Sequence, residues 1–169
     1  MSIEQQRELK ELFVYHPDSG WFTNKHSRGR AKAGERAGAE TGHGYRRIII
    51  DYVKHYEHHL AWLYVYGEYP DEIDHVNGVR NDNRIVNLRL CTRTQNNFNT
   101  QNNTGTAGLS GAYLDKRTRN WYSKIQFGGQ QKFLGIFPSP EDAHQAYIKA
   151  LDEVAGEFAY HNRPNIGGQ

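Results

Sequence analysis

An α+β chain of two modules is predicted by three observations. Residues 99–109, Asn-Thr-Gln-Asn-Asn-Thr-Gly-Thr-Ala-Gly-Leu, carry no charge and hardly any large apolar group, so they read as a linker. After them, residues 121–127 alternate in polarity with the period of a strand, and Ala143, Ala146, Tyr147, Ala150, Leu151 and Val154 recur with the period of a helix. Before them, short helical and strand-like runs are separated by turns. The predicted parts are residues 1–98, the linker 99–109, and residues 110–161. A chain of 169 residues has room for two small domains, and a mean hydropathy of −0.87 with 17 glycines keeps each core small.

The elements follow in order. Leu9, Leu12, Phe13 and Val14 predict a short helix running into a strand, closed by the turn His16-Pro17-Asp18-Ser19-Gly20. Residues 21–23 return as a strand, and a Gly-rich basic segment covers residues 29–44. Residues 45–56, rich in Ile, Tyr and Val, predict a strand pair turning near Asp51. Leu60, Leu63 and Tyr64 repeat at helical spacing up to Gly67, a helix stop. Two strands are expected around Ile73–His75 and residues 88–91. Thr92-Arg93-Thr94-Gln95 then fits a capping box, so a helix starts at Thr92 with Asn96 in its first turns. In the second module Gly128-Gly129 turns the Trp121 strand back into residues 131–137. Ser139-Pro140-Glu141-Asp142 supplies an N-cap, a proline at the first helical position and acids in the first turn, and Gly156 ends the helix. The result is three strands and one packed helix.

Composition excludes several classes. One cysteine, Cys91, rules out a disulfide within the monomer and a multi-cysteine zinc site, and it points to a reducing compartment. No apolar run approaches the ~18 residues that span a bilayer, and no signal peptide opens the chain. A soluble, cytoplasmic monomer without a membrane partner is expected. The net charge of +2 is small, but its distribution is not even. From Lys25 to Lys54 eight bases (Lys25, Arg28, Arg30, Lys32, Arg36, Arg46, Arg47, Lys54) face three acids (Glu35, Glu40, Asp51), a local +5.

Residues 74–97 concentrate the chemistry: an Asp74-His75 pair, an Asn77-Gly78 turn, a polar loop, Asn87 ahead of a short apolar run, and Asn96 in a capped helix. Each alone has a plainer reading as a solvated loop, a hairpin turn or a cap. Together, in this order, and preceded by Glu57-His58-His59-Leu60-Ala61-Trp62, they resemble the HNH nucleases. The resemblance is to the phage and intron-encoded homing branch, in which the last His is replaced by Asn. It implies a ββα-metal unit that hydrolyses phosphodiesters of double-stranded DNA, with the gene phage-borne and the protein acting in a bacterial host cell. Such hydrolysis needs an activated water, a counter-charge for the pentavalent phosphate and stabilisation of the departing oxygen, which one imidazole and one hard cation can supply. His75, with an ordinary pKa near 6.5, is the candidate base. Asp74 and Asn96 offer oxygen ligands suited to Mg2+ or Mn2+. Neighbouring strand residues point to opposite faces, so Asp74 and His75 can share a site only at a twisted strand end, and the family places them at one. Asn87 is implied to brace the hairpin loop and orient His75 without touching substrate. Beside such a site the basic stretch, with Arg28, Arg30, Lys32, Arg46 and Arg47, reads as a phosphate-contacting arm, and Arg93 joins it as a DNA contact.

The run Ser110-Gly111-Ala112-Tyr113, the Trp121 strand, Phe133-Leu134-Gly135-Ile136-Phe137 and the Glu141-Asp142-Ala143-x-x-Ala146-Tyr147 helix resemble the plant APETALA and ethylene-response-factor DNA-binding domain over about residues 108–161. That resemblance implies that the sheet, not the helix, enters the major groove. Charge agrees: Lys116, Arg117, Arg119, Lys124 and Lys132 lie in the sheet region against Asp115, whereas the helix region carries Lys149 against five acids. Tyr113, Arg117, Arg119, Tyr122, Lys124, Gln126, Lys132 and Phe133 are the expected DNA contacts. The strand arginines and tryptophans of the plant domain are not matched at Tyr113, Lys124, Gln126 and Phe133, so the plant target sequence does not carry over. A DNA-binding protein with a decayed nuclease site is the rival reading. An RNA-binding module is disfavoured because the sheet shows no paired stacking aromatics.

Overall fold

The computed structural model describes residues 3–99 and 105–162. The chain divides between Cys91 and Thr92 into two compact units.

In the first unit, helix α1 (Ile3–Leu12) buries Leu9 and runs without a break into β1 (Phe13–His16), which pairs antiparallel with β2 (Trp21–Asn24). The predicted turn is there, its Gly20 N–H donating 2.8 Å to the His16 carbonyl. Alternation sends Phe13, Tyr15 and Phe22 inward, where their rings meet each other and Tyr64 at centroid distances of 5.0 to 6.2 Å. Strands β3 (Ala39–Glu40), β4 (Arg46–Ile50) and β5 (Val53–Tyr56) form an antiparallel sheet in the order β3-β4-β5. The two-residue β3 was not expected within the Gly-rich segment. It is set by Gly38, whose left-handed φ of 74° brings the backbone so close to the Arg47 carbonyl that no Cβ fits. Helix α2 (Glu57–Tyr66) follows β5 directly and stops at Gly67, in the left-handed conformation, with its N–H on the Leu63 carbonyl. Strands β6 (Ile73–His75) and β7 (Leu88–Leu90) pair antiparallel, and Ile73 and Leu88 anchor this hairpin in the core built by Leu9, Phe13, Phe22, Ile48, Leu60 and Leu63. A single 3-10 turn, Ile85–Asn87, precedes β7.

The second unit opens with α3 (Arg93–Phe98), capped as predicted: Thr92 Oγ1 accepts from the Gln95 N–H at 3.3 Å while the Gln95 side chain accepts from the Thr92 N–H at 2.8 Å. In chain order β6, the 3-10 turn, β7 and α3 make a ββα-type module. Strands β8 (Ala112–Leu114), β9 (Trp121–Phe127) and β10 (Gln130–Phe137) form an antiparallel sheet with β9 central, packed against α4 (Pro140–Ala155). Ile125, Ala150, Leu151 and Ala155 make its core, and Phe98, Leu134 and Tyr147 pack onto it. The register slips between Phe133 and Gly135, a bulge that Gly135 permits at a φ of 139°. Of the expected linker, residues 100–104 lie outside the described residues. Thr106 does not behave as linker: its N–H donates to the Ala112 carbonyl at 2.9 Å and its hydroxyl accepts from the Leu114 N–H at 3.1 Å. Short polar side chains that serve a linker serve equally well as strand-edge partners.

Candidate active site

His75 ends β6 and is buried, as are Asp74 beside it and Asn87 on the opposite side of the hairpin. The loop between them is pinned by Asn87. Its Oδ1 accepts from the Asn77 N–H at 3.0 Å, its Nδ2 donates to the Asp82 carbonyl at 2.8 Å, and its own carbonyl accepts from the Val76 N–H at 2.9 Å. One side chain thus ties both flanks of the loop. Asn77-Gly78 makes the tight turn after His75, with Gly78 at φ 73° and its N–H on the His75 carbonyl at 2.7 Å. Asp82 closes the far side, bonded by Asn77 Nδ2 at 2.7 Å and by Arg84. The Arg84 bonds foremost hold its carboxyl below the usual range.

The imidazole of His75 lies in a buried aromatic and polar setting. Its ring centroid is 4.9 Å from that of His58 and 6.0 Å from that of Tyr45. Burial is the main cause that pulls the His75 pKa below the ordinary histidine value, opposed by the hydrogen bond to Asn83 and by Asp74, so the neutral ring is favoured. His75 Nε2 and Asn83 Oδ1 are 3.1 Å apart, Asn83 Nδ2 donates to Glu57 Oε2 at 3.0 Å, and Arg46 Nε meets the same oxygen at 3.0 Å. Glu57 and Asn83 are both fully buried, at 0% exposure. Burial pushes the Glu57 carboxyl up, while Arg46 and Arg36 hold it back. His58 is buried with its Nδ1 lacking a hydrogen-bond partner among the described residues. Its pKa is pushed down to about 2, by burial first and by His75 and His59 next.

Asp74 faces Arg89, its cross-strand partner in the register. Asp74 Oδ2 accepts from Arg89 Nε at 2.8 Å and from Nη2 at 2.7 Å. Asp74 reaches across the strand pair to Arg89 while His75 meets Asn83, so the two neighbours engage different partners, as the alternation of strand faces requires. Asn96 lies half-buried in α3, its N–H on the Thr92 carbonyl at 2.9 Å. Among the described residues no three His, Cys, Asp or Glu side chains are grouped to hold a metal ion.

The basic arm does not stay uniform. Arg28, Arg30 and Lys32 are exposed, although the Arg28 guanidinium also lies 5.4 Å from the Phe13 ring centroid. Arg46, expected to meet phosphate, is turned inward: besides Glu57 it donates through Nη2 to the Ala37 and Gly38 carbonyls, both at 3.2 Å. Arg47 lies over the Tyr56 ring and donates to its hydroxyl. Arg93 is exposed on α3. On the second sheet Tyr113, Tyr122, Lys124, Gln126 and Phe133 share the face away from α4, and Arg117, Arg119 and Lys132 are exposed. Contrary to expectation, the sheet does carry stacked aromatics. Tyr113 and Tyr122 stack at 5.4 Å and Tyr122 and Phe133 at 6.5 Å, a row that the register creates across three strands and that no single strand reveals. Tyr122 is sandwiched, and the Lys124 ammonium lies 5.2 Å from the Tyr113 ring centroid, so the ring faces are largely occupied by one another.

Nothing in the sequence pointed to Asn83 or Tyr15, and Glu57 and His58 stood out only as the flank of the resemblance, without a place in the site. Asn83 stood in a polar loop and Glu57 at a helix start, both ordinary places for such residues. An acid at the head of the otherwise apolar stretch Leu60-Ala61-Trp62-Leu63 was the available signal.

Residues 55–98 match the family model described as HNH endonuclease, so a domain of this kind covers part of the chain. The chain is also 29% identical over 103 residues to an uncharacterized HNH endonuclease of Acanthamoeba polyphaga mimivirus, covering 60% of this chain. It spans about half the length of that curated relative, 53%. No solved structure matches. No described helix is long and apolar enough to cross a membrane.

Proposed function

We propose that this protein is a metal-dependent, site-directed DNA endonuclease of the HNH homing type. The observation that carries the reading is the coincidence of the family match with a buried, neutral histidine at a strand end whose loop is pinned by Asn87. In this reading His75 takes the proton from the attacking water, Asn87 holds the loop that aims it, and Asp74 and Asn96 hold Mg2+ or Mn2+. The cation would supply positive charge at the phosphate and at the departing oxygen. Arg89 and the cation are alternative counter-charges for the Asp74 carboxylate. The second unit, with the resemblance to the APETALA type of domain, binds the duplex through the outer face of its sheet, and exposed Arg28, Arg30 and Lys32 contact phosphates.

The hold of Arg89 on Asp74 favours one rival, a DNA-binding protein whose nuclease centre no longer takes a metal. Plasmid cleavage decides between them. Wild type with Mg2+ or Mn2+ is expected to nick or cut, a chelator to abolish this, and His75→Ala to lower the rate by about 2 to 4 orders of magnitude, the usual share of a general base. Tight DNA binding with no cleavage under any divalent cation would leave the rival standing.

A further inference from the structure

We propose that Asn83, oriented by Glu57 and Arg46, is a positioning residue that sets the tautomer of His75, keeping the proton on Nε2 and the lone pair on Nδ1. The inference rests on the reading of His75 as the base, and it names which nitrogen does the work.

The direction of the hydrogen bonds is fixed from one end. Arg46 can only donate, and it donates to Glu57 Oε2. A guanidinium at this distance favours the ionised carboxylate, which can only accept. Asn83 must therefore present its NH2 to Glu57, at 3.0 Å, and its amide oxygen is left facing His75. Two acceptors cannot bond, so His75 Nε2, 3.1 Å away, is the N–H partner. In a neutral imidazole the lone pair then sits on Nδ1. A reversed amide would turn NH2 toward His75 and oxygen against the carboxylate oxygen, a repulsive contact in a fully buried site.

The surroundings keep Asn83 from leaving. Tyr15 Oη donates to its main-chain carbonyl at 2.8 Å. Gly20, with φ 73°, lets the β1–β2 turn approach the Asn83 and Arg84 backbone more closely than any Cβ would permit. Arg46 is itself held by the Ala37 and Gly38 carbonyls, and the His58 and Tyr45 rings flank His75. Segments far apart in sequence thus converge on one amide. A loop asparagine that only closed a turn would not need a buried ion pair behind it.

The test is the imidazole nitrogen spectrum of the intact chain, labelled with 15N-histidine, at a pH where His75 is neutral. The His75 signals are assigned by their loss in His75→Ala. In wild type Nε2 is expected to carry the proton and Nδ1 to resonate as an unprotonated ring nitrogen. A wild-type Nδ1–H tautomer overturns the proposal, whatever the variants do. Asn83→Leu is expected to mix the two tautomers and to slow cleavage roughly 10- to 100-fold, as loss of an orienting partner does, with DNA affinity unchanged. An unchanged tautomer in Asn83→Leu also overturns the proposal. If the chain cleaves no DNA with any metal yet the tautomer follows position 83, the relay stands and the nuclease reading falls.

Discussion

In the first unit the polar groups of interest, Glu57, Asp74, His75, Asn83 and Asn87, are buried and bonded to one another, to the backbone or, for Asp74, to Arg89. In the second, Tyr122, Lys124, Gln126 and Phe133 stand on the outer face of a sheet whose core is made separately by Ile125, Leu151 and their neighbours. Chemistry and folding share the same atoms in one unit and are separable in the other. Substitutions in the hairpin region should therefore change stability and activity together, and substitutions on the sheet face should change binding alone.

The sharpest break of that comparison is Arg46→Met. It leaves the Glu57 carboxylate buried without its cation, and removing one partner of a buried pair costs about 3 to 5 kcal/mol. Urea unfolding followed by circular dichroism should show the midpoint falling by that equivalent, and a stability equal to wild type would mean that Glu57 is protonated in the fold. Next is the metal. Asp74→Ala should lose most cleavage at any Mg2+ concentration, whereas Arg89→Ala, which removes the competing cation, should shift the metal titration to lower concentration. An unchanged titration in Arg89→Ala would show that Arg89 does not compete for Asp74.

On the sheet face Phe133, at 59% exposure, and Lys124 should behave in the opposite way. Phe133→Ala and Lys124→Ala are expected to stay within about 0.5 kcal/mol of wild type in unfolding. If Lys124 meets a phosphate, its loss lowers the slope of log K against log salt by about one unit. Filter-binding or anisotropy titrations at several salt concentrations, on the cleaved site and on random duplex, distinguish this from base reading, which would relax preference at one position. A large stability loss with no binding change would place Lys124 with the fold.

A further effect is pH-dependent. The folded chain holds His58 neutral down to about 2, whereas the unfolded chain protonates it below its ordinary value of 6.5. Between those values the unfolded state binds the additional proton, so stability falls as pH falls below about 6.5, by up to about 1.4 kcal/mol per unit for one group. The denaturation midpoint of His58→Phe should depend less steeply on pH between 4 and 6.5 than that of wild type, where 4 marks roughly the ordinary carboxylate range below which acids also titrate. Parallel curves would remove His58 from the account.

Legibility followed the same division. The capping box at Thr92, the Ser139-Pro140 helix start and the alternation of residues 121–127 are local signals, because caps and strand periods are decided within a few residues. Asp74, His75, Asn87 and Asn96 were visible as an ordered set, and Asn87 bonds to both flanks of the loop. The inward turn of Arg46 was not visible. A charge run looks the same whether its members face solvent or a buried acid, and Glu57 lies on a different element. The aromatic row on the second sheet was hidden for a related reason, since it exists only in the register of three strands.

The match to the family model begins at residue 55, yet Tyr15, Gly20 and Arg46, which brace Asn83 and Glu57, all lie upstream of it. A graft cut at the edge of the recognisable motif would carry the hairpin without its buttresses, with an Asn83 carbonyl unanswered and a carboxylate stripped of its counter-ion. The smallest portable piece is thus set by the supports and not by the motif. Any chimera that moves this centre to another DNA-binding partner should take the two N-terminal sheets with it.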